Sequence, residues 1–457
     1  MKTVRFTRSV RLGVSVKTAF RWHIRPGVFE RLTPSWQDAA PLSTPPELRD
    51  GAEFALRVQH GPFRLRWTGR PRDVQPPTRF VGERQRGPFS PWIHTHRFEE
   101  EDLGGCRLTD DVEFRLPFGL GAEWIRAELR RIFRYRHSII RHDLRAHAAA
   151  PDRSMRILVT GSRGLLGSHL VPFLIAGGHR IARLLHLPHP EFPDALNLGS
   201  GPVGAWEGLD AVVHLAGANL AARRWTAERK RVLRASRVEF TARLAERLAA
   251  LAQPPRVVIC ASATGWYGNG QRGQAVSEGA PAGNGFLADL TRDWEAAAAP
   301  LRRAGIRVVH LRFGMILSPR GGALRKLLPV FRAGLGGPIG DGRQWVSWIA
   351  MDDALDVILR AIWRRELTGP LNAVAPYPVS NASFATAIGR VLGRPASRRA
   401  PAPLLRVVFG EMADALLLDG VQALPTRLME DGFSFRLPTL EAALRHMLGR
   451  YLPLSAE

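Results

Sequence analysis

The sequence predicts an α/β fold: a doubly wound parallel sheet, preceded by a separate α+β domain. Residues 155–167 read as an apolar β-branched strand, a glycine turn and a helix start in direct succession. About 150 residues precede this unit, and they alternate short strand-like runs with turn residues. A chain of 457 residues is long enough for two to four domains, each with its own core.

The first segment shows the order strand, helix, several strands and a long helix. Residues 3–14 predict a strand, and residues 16–29 predict a helix that ends before Pro34. Five strand-like runs follow at 53–58, 63–69, 79–85, 92–98 and 106–116. An amphipathic helix is predicted over residues 122–145. Its apolar stripe comprises Trp124, Ile125, Leu129, Ile132, Phe133 and Ile140.

Two histidines in the fourth of these runs form the only pattern in the segment that is compatible with metal binding. His94 and His96 lie two residues apart, so on a strand their side chains point to the same face. No further His/Cys pair and no obvious carboxylate cluster completes a ligand set. We therefore predict no metal site and favour cavity lining or ordinary strand polarity for this pair.

The order of elements in residues 1–147 resembles the START-like (polyketide cyclase, SRPBCC) helix-grip superfamily. The segments that carry the resemblance are residues 29–34, 87–92 and 94–99. The resemblance implies a curved sheet wrapped around the last helix, with an apolar cavity between them. It implies a binding module for an apolar ligand, and the segment shows no nucleophile or acid–base pair.

The glycine motif at the start of the second segment predicts dinucleotide binding. In the GxxGxxG spacing the first glycine permits the turn, the second lets the backbone approach a pyrophosphate, and the third allows close helix–strand packing. The start of the helix offers N–H groups to the phosphates. The predicted cofactor-binding residues are Gly161, Arg163, Gly164, Leu165, Leu166 and Gly167. A glycine-rich loop without a ligand is the alternative.

The second strand of this segment, residues 179–185, bears on the choice of cofactor. In NAD-preferring sites an acidic residue near the end of this strand holds the ribose 2′-hydroxyl. Here the first acid after the strand is Glu191, whereas His186 follows the strand directly and Arg163 lies in the glycine loop. This pattern favours a 2′-phosphate, so we predict NADP, with NAD as the alternative.

Two later strands end in residues suited to a site. Residues 211–217 form a buried strand that ends in a small-residue turn, and Leu215, Ala216 and Gly217 are predicted to contact the cofactor. A basic helix is predicted over residues 225–251. The apolar run 256–268 then delivers hydroxyl groups at its end, and further strands are predicted at 307–311 and 371–374.

Residues 155–450 resemble, almost throughout, the atypical extended short-chain dehydrogenase/reductases of the NAD(P)-dependent epimerase/dehydratase-like family. The resemblance is carried by residues 224–226, Lys230, 236–238, 262–268, 321–324, 336–349, 371–376 and 410–413. It implies a Rossmann-type domain over residues 155–400 and a small, α-rich, family-specific C-terminal cap over 401–450. It also implies a small-molecule substrate, with Arg343 and Trp345 as substrate contacts.

The sequence departs from the family pattern at its catalytic pair. Typical members use Tyr-x-x-x-Lys, in which the tyrosine donates a proton, and neither residue stands at the expected place, residues 286–290. The remaining catalytic candidates are Ser262 and Thr264, which could polarise a carbonyl, and Tyr267, the nearest phenol. The alternative is that Tyr267 packs the pocket wall and the hydroxyls only hold the end of the strand.

Composition limits the classes of partner. The formal net charge is +24, but only four of the 65 basic residues are lysines and the arginines are spread over both halves of the chain. No nucleic-acid-binding signature accompanies this charge, so we expect no nucleic-acid partner. With no long apolar run, no leader and two cysteines, we expect no membrane association and a cytoplasmic location. The oligomeric state is unknown at this stage.

Two functions follow from these observations. The first is an NADP(H)-dependent oxidoreductase or epimerase that acts on a small organic substrate and carries an N-terminal apolar-ligand-binding domain. The second is a non-catalytic NADP(H)-binding sensor coupled to ligand binding in the N-terminal domain. The missing Tyr/Lys pair is the main argument for the sensor.

Overall fold

The computed structural model describes residues 2–41, 49–60, 63–84, 91–116, 121–150, 153–185, 189, 191–192, 195–199, 203–268 and 273–452. The chain divides into two compact units. The first unit comprises residues 1–154, 171–179 and 446–457, and the second comprises 155–170 and 180–445. The sequence did not predict that the two short later segments belong with the first unit, because contacts in space rather than chain order define it.

The first unit contains a seven-stranded antiparallel sheet in the order β1-β7-β6-β5-β4-β3-β2. Its strands are β1 (Lys2–Leu12), β2 (Asp38–Pro41), β3 (Phe54–His60), β4 (Phe63–Gln75), β5 (Arg79–Arg84), β6 (Trp92–Glu100) and β7 (Cys106–Leu116). Strand β2 was not predicted from the sequence. The other six strands overlap the predicted runs.

Three helices of the first unit are α1 (Val16–Ile24), α2 (Val28–Leu32) and α3 (Ala122–Ala148). The single helix predicted over residues 16–29 is wrong, because Gly27 has a φ of 86° and separates α1 from α2. Helix α3 packs on the sheet through Ile125 and Phe133, which share a core cluster with Phe114. Trp124 was predicted to belong to the apolar stripe of α3, but it is 62% exposed.

The second unit is built on a six-stranded parallel sheet in the order β17-β13-β11-β10-β8-β9. Its strands are β8 (Arg156–Thr160), β9 (Arg180–Leu184), β10 (Ala211–His214), β11 (Val257–Ala263), β13 (Arg307–Phe313) and β17 (Gly369–Ala373). Strand β8 lies between β9 and β10, so the strand order reverses there. In open α/β sheets ligands bind at this switch point, beyond the carboxyl ends of the strands.

The described part of the segment between β9 and β10 pairs with β9 at one point. Leu196 forms a single parallel bridge with Leu184 of β9, and a short 3₁₀ turn over Val203–Trp206 precedes β10. The sequence is short for the fold at this point, and the bridge stands where a further edge strand would pair.

Short strands and helices complete the second unit. The strands β12 (Ala275–Val276), β14 (Met315–Leu317), β15 (Trp345–Val346), β16 (Trp348–Ala350), β18 (Val379–Ser380) and β19 (Gln422–Ala423) form the pairs β12-β19, β14-β16 and β15-β18. The helices are α5 (Ala227–Arg234), α6 (Phe240–Ala249), α7 (Phe286–Ala296), α8 (Ala299–Arg303), α9 (Gly322–Arg332), α10 (Met351–Trp363), α11 (Asn381–Leu392), α12 (Ala402–Phe409), α13 (Glu411–Ala413) and α14 (Thr426–Glu430).

Two helices, α4 (Leu165–Ala176) and α15 (Leu440–Leu448), contribute residues to both units. The helix predicted over residues 225–251 is interrupted by a π-helical turn at Ala235–Glu239. Such turns occur frequently at functional sites. Across the described ranges, none of the helices combines the length and the apolar character that a membrane span requires.

Candidate functional site

The loop after β8 is shaped by its first and third glycines. Gly161 has a φ of 65°, and a Cβ atom there would lie 2.8 Å from the carbonyl group of Leu215. A Cβ atom on Gly167 would overlap the carbonyl oxygen of Gly161. These two positions therefore exclude side chains because the backbone of the loop packs against β10 on one side and against α4 on the other.

The middle of the same loop is open. Gly164 is exposed, and a Cβ atom there would meet a single neighbouring atom, the carbonyl oxygen of Gly161 at 3.2 Å. Ser162 is buried, yet its hydroxyl has no hydrogen-bond partner in the described part of the chain. A buried polar group without a partner costs about 1–3 kcal/mol. An exposed glycine backbone and an unsatisfied hydroxyl are the two properties that a bound pyrophosphate would use.

The remaining predicted residues of the loop have different environments. Arg163 is exposed, Leu165 is half-buried and Leu166 is buried at the start of α4. His186, the other predicted contact of the cofactor ribose, lies outside the described residues. Among the described residues of this loop, Arg163 is therefore the one that places a positive charge at the surface.

The turn after β10 is fixed to the end of β8 by one side chain. Thr160 Oγ1 accepts the backbone N–H groups of Leu215 at 3.0 Å and Ala216 at 3.1 Å. Because its oxygen accepts both, the hydroxyl proton of Thr160 goes to His214 Nδ1, 2.7 Å away. Burial lowers the pKa of His214 to about 4, so the imidazole is neutral. The two strand ends that flank the switch point are therefore held rigidly together.

A buried arginine that the sequence analysis did not single out lies beside this turn. A Cβ atom on Gly217 would lie 3.3 Å from the guanidinium carbon of Arg237, which the π-helical turn carries. Arg237 is 8% exposed, and its guanidinium group lies 5.2 Å from the ring centre of Trp294. Burial, and secondarily the charge of Arg229, lowers its pKa to about 10, so it stays cationic at neutral pH.

The hydrogen bonds of Arg237 within the described residues are long. It donates to the carbonyl oxygen of Leu233 at 3.4 Å and to Ser236 Oγ at 3.5 Å. Residues 236–238 were among the segments that carry the family resemblance, and this was the available signal for Arg237 in the sequence. A cation with weak partners next to a predicted cofactor contact is suited to an anionic ligand.

Ser262, a predicted catalytic residue, belongs to a buried ion-pair network. Its hydroxyl donates to Glu295 Oε1 at 2.6 Å. The same carboxylate accepts two hydrogen bonds from Arg312, at 2.8 Å from Nε and 3.0 Å from Nη2. All three side chains are buried. The proton of Ser262 is thus directed to an internal acceptor.

Tyr267, another predicted catalytic residue, belongs to the same network. Its phenol is fully buried, donates to Asn372 Oδ1 at 2.7 Å and accepts from Arg312 Nη1 at 3.2 Å. Burial raises the pKa of Tyr267, and the hydrogen bond from Arg312 only partly offsets this effect, so the phenol is neutral. The structure therefore brings Ser262 and Tyr267 together through Arg312, in the strand-holding arrangement that the sequence analysis left open as the alternative.

Thr264 differs from its two predicted partners. It is half-buried at the end of β11, and its hydroxyl makes no hydrogen bond within the described part of the chain. Of the three predicted catalytic hydroxyls, that of Thr264 is the one with a proton available to a ligand.

The predicted substrate residues lie on a separate loop. The guanidinium group of Arg343 is exposed and forms no ion pair within the described ranges, while its backbone N–H donates to Asp341 Oδ1 at 3.0 Å. Trp345 is half-buried and begins β15, where it pairs with Ser380 of β18. The described contacts do not join this loop to the Arg312 network.

In the first unit, the predicted histidine pair has partners that the sequence did not reveal. His94 and His96 share a face of β6, and Asp110 of β7 and His137 of α3 lie against them. The statement that no carboxylate completes the set is therefore wrong. Asp110 pairs with His96 across two neighbouring strands, a register that spacing along the chain does not specify.

Comparison with known proteins identifies the family. Residues 157–374 match the NAD dependent epimerase/dehydratase family, and residues 400–447 match a domain of unknown function (DUF1731). The epimerase family protein Mb2239 of Mycobacterium bovis is 41% identical over 298 residues, which cover 64% of this chain and 98% of that relative. The chain belongs to the NAD-dependent epimerase/dehydratase family. The predicted family resemblance of the second segment is thereby confirmed.

Two solved structures of relatives extend this finding. A protein from Corynebacterium glutamicum, described as a nucleoside-diphosphate sugar epimerase, is 32% identical with a TM-score of 0.80 and covers 97% of this chain and 90% of its own. Human epimerase family protein SDR39U1 (isoform 2), described with NADPH, is 33% identical with a TM-score of 0.60 and covers 64% of this chain and 99% of its own. The Rossmann-type parallel sheet is confirmed.

Proposed function

We propose that the second unit binds NADP(H) and catalyses hydride transfer to or from a small organic substrate, in a reduction, an oxidation or an epimerisation. The observation that carries this proposal is the glycine loop at the switch point, which combines the exposed backbone of Gly164 with the unpartnered hydroxyl of Ser162. The human relative described with NADPH supports the phosphorylated cofactor. When bound, the nicotinamide supplies the hydride chemistry.

In this proposal the residues of the chain bind and orient. Ser162, Gly164 and the start of α4 hold the pyrophosphate, and Arg163 attracts the 2′-phosphate. Thr264 donates a hydrogen bond to the reacting oxygen of the substrate. Arg312 fixes the end of β11, so that Thr264 keeps its position.

The substrate class is narrowed by charge and by one relative. Arg343 is an exposed cation without an ion pair in the described residues, so it can bind an anionic group of a substrate. The Corynebacterium glutamicum relative is described as a nucleoside-diphosphate sugar epimerase. Nucleoside-diphosphate sugars are therefore the first substrates to test, followed by simple aldehydes, ketones and enones.

We also propose that residues 1–147 form a START-like helix-grip domain that binds an apolar ligand, ahead of a dinucleotide domain at 155–400 and a cap at 401–450. The antiparallel sheet with α3 packed on it supports this assignment.

For the cellular location we propose the cytoplasm. The two cysteines, Cys106 and Cys260, are buried free thiols, and this supports a location in a reducing compartment.

A second candidate function is an NADP(H) sensor without turnover. The observation that favours it is the network around Arg312. In this network the hydroxyls of Ser262 and Tyr267 both donate their hydrogen bonds to acceptors within the protein. In that case Thr264 contacts no reacting group, and the NADPH affinity responds to a ligand in the first unit.

Cofactor titration combined with a turnover screen tests the proposal. Nicotinamide fluorescence should show tighter binding of NADPH than of NADH, and equal affinities would contradict the role of Arg163. With an active substrate, Thr264→Val should lower turnover by ~10²–10³-fold, the range for the loss of one hydrogen-bond donor to a reacting oxygen, and leave the NADPH affinity unchanged. Thr386→Val, at an exposed position of α11, is the matched control. NADPH binding without turnover of any substrate would favour the sensor.

A further inference from the structure

Four polar side chains converge in the first unit. Strand β6 presents His94 and His96, β7 presents Asp110 opposite His96, and α3 contributes His137. His94 Nε2 lies 2.9 Å and His96 Nδ1 lies 2.7 Å from the same oxygen, Asp110 Oδ1. His137 Nε2 lies 2.7 Å from the other oxygen, Oδ2. The two carboxylate oxygens therefore have different partners.

This division matches a metal site with a supporting hydrogen bond. The ligand atoms of His94, His96 and Asp110 all lie within 4.8 Å of one another. Two imidazole nitrogens and one carboxylate oxygen form the facial ligand set of several divalent transition-metal sites. A ligating carboxylate is commonly oriented by a donor on its second oxygen, and His137 is placed to be that donor.

An ordinary hydrogen-bond network leaves part of this cluster unexplained. Although His96 Nδ1 is close to Asp110 Oδ1, it is a buried nitrogen with no hydrogen bond of acceptable geometry. His23, whose ring centre lies 6.1 Å from that of His96, donates from Nδ1 to the carbonyl oxygen of Ala19 at 2.8 Å. Its Nε2 is then an unprotonated buried nitrogen, also without a partner in the described residues. A cation at His96 Nδ1 would satisfy a buried nitrogen that no protein donor reaches within the described residues.

Aromatic neighbours fix the positions of the two imidazole rings. Phe80 stacks on the ring of His96 with ring centres 4.1 Å apart, and Phe133 meets the ring of His94 edge-on at 5.3 Å. The side chains of His94 and His96 are 14% and 15% exposed, whereas that of Asp110 is 3% exposed. Aromatic packing thus fixes the two imidazole rings beside the carboxylate.

We propose that the first unit binds one divalent transition-metal ion through His94 Nε2, His96 Nδ1 and Asp110 Oδ1, with His137 orienting the carboxylate. Three protein ligands leave coordination positions open, as catalytic and ligand-binding metal sites do and closed structural sites do not. A water molecule or a polar atom of the small molecule bound by this unit can fill those positions. The site shares no residue with the proposed dinucleotide site, so the two proposals can fail separately.

Metal titration of the full-length chain tests the proposal. After removal of metals with a chelator, the protein should bind one Zn²⁺ or Co²⁺ per chain. X-ray absorption of the zinc-loaded wild type should show two imidazole ligands. The double variant His94→Ala/His96→Ala should weaken binding by at least ~100-fold, and Asp110→Asn should weaken it as well. His142→Ala, on the same helix as His137 but outside the cluster, is the matched control and should bind as the wild type does.

Three results would overturn the metal site. One is a wild type that takes up no stoichiometric Zn²⁺ or Co²⁺ after chelation. The second is a zinc spectrum without imidazole ligands, and the third is equal affinity in the double variant and the wild type; either of these would place the ion elsewhere. Circular dichroism of each variant checks its fold. If a variant is unfolded, the wild-type X-ray absorption spectrum alone decides.

Discussion

The glycine loop and the Arg312 network both follow strands of the same parallel sheet, and they treat their polar atoms in opposite ways. In the loop, the Ser162 hydroxyl is buried without a partner among the described residues, and Gly164 is exposed to solvent. In the network, Ser262 donates a hydrogen bond to the Glu295 carboxylate, and Tyr267 donates one to the side-chain amide oxygen of Asn372. A hydroxyl at a strand end is therefore a weak sign of a ligand site, and an unsatisfied one is a much stronger sign.

The physical reason for this difference is the cost of burial. A buried ion pair such as Arg312–Glu295 is stable only when its remaining donors and acceptors are also paired. Ser262 and Tyr267 provide part of that pairing, so their hydroxyls are committed to the fold. In the loop, the buried Ser162 hydroxyl stays unpaired until a ligand binds, and this lowers the stability of the free protein.

The largest expected effect is on cofactor binding by the loop. Gly164→Val should weaken NADPH binding by at least ~100-fold, equivalent to about 2.8 kcal/mol, because the side chain fills the space above the loop. Thermal unfolding should change little, since the site is exposed. Gly13→Val, at an exposed glycine whose added Cβ meets nothing within 4 Å, is the control. Wild-type affinity in Gly164→Val would show that the loop does not face the cofactor.

The next effect is on stability and comes from the network. Arg312→Met leaves Glu295 as a buried carboxylate without its cation and should lower the free energy of unfolding by ~3–5 kcal/mol. Arg343→Met, at an exposed arginine, should change it by less than about 0.5 kcal/mol. Urea denaturation followed by circular dichroism measures both. A loss below about 1 kcal/mol in Arg312→Met would mean that the network is not structural.

The smallest expected effect is on turnover, and it shows whether Tyr267 has a structural or a catalytic role. Tyr267→Phe removes two buried hydrogen bonds, one to Asn372 and one from Arg312, and should cost ~1–3 kcal/mol of stability. Turnover on an active substrate should stay within about threefold of the wild type, because the phenol proton faces Asn372. A loss of ~10²-fold or more in turnover, with unchanged NADPH affinity, would instead identify Tyr267 as a proton donor.

The features that the sequence predicted are those determined by residues close together in the chain. Gly161 and Gly167 are required by a turn and a close approach within a few residues, so the motif predicts them. The glycine motif and the family resemblance predicted the doubly wound parallel sheet of the second unit. The two strands that carry His94 and Asp110 were also predicted, from alternation and turn residues.

The parts that the sequence did not predict depend on contacts between distant segments. Ser262 is bound by Glu295, which itself is held by Arg312 of the neighbouring strand β13. The partner of His94 and His96 is set by the register of β6 on β7, and His137 reaches it from α3. None of these pairings is encoded by spacing along the chain.

A crystal structure of the chain with NADP⁺ tests the central claim most directly. The account predicts the pyrophosphate against Gly164 with Ser162 Oγ in hydrogen-bond contact, and the bonds Ser262–Glu295 and Tyr267–Asn372 unchanged. A cofactor bound away from this loop would contradict it. So would a Tyr267 phenol that has left Asn372 and turned to the nicotinamide.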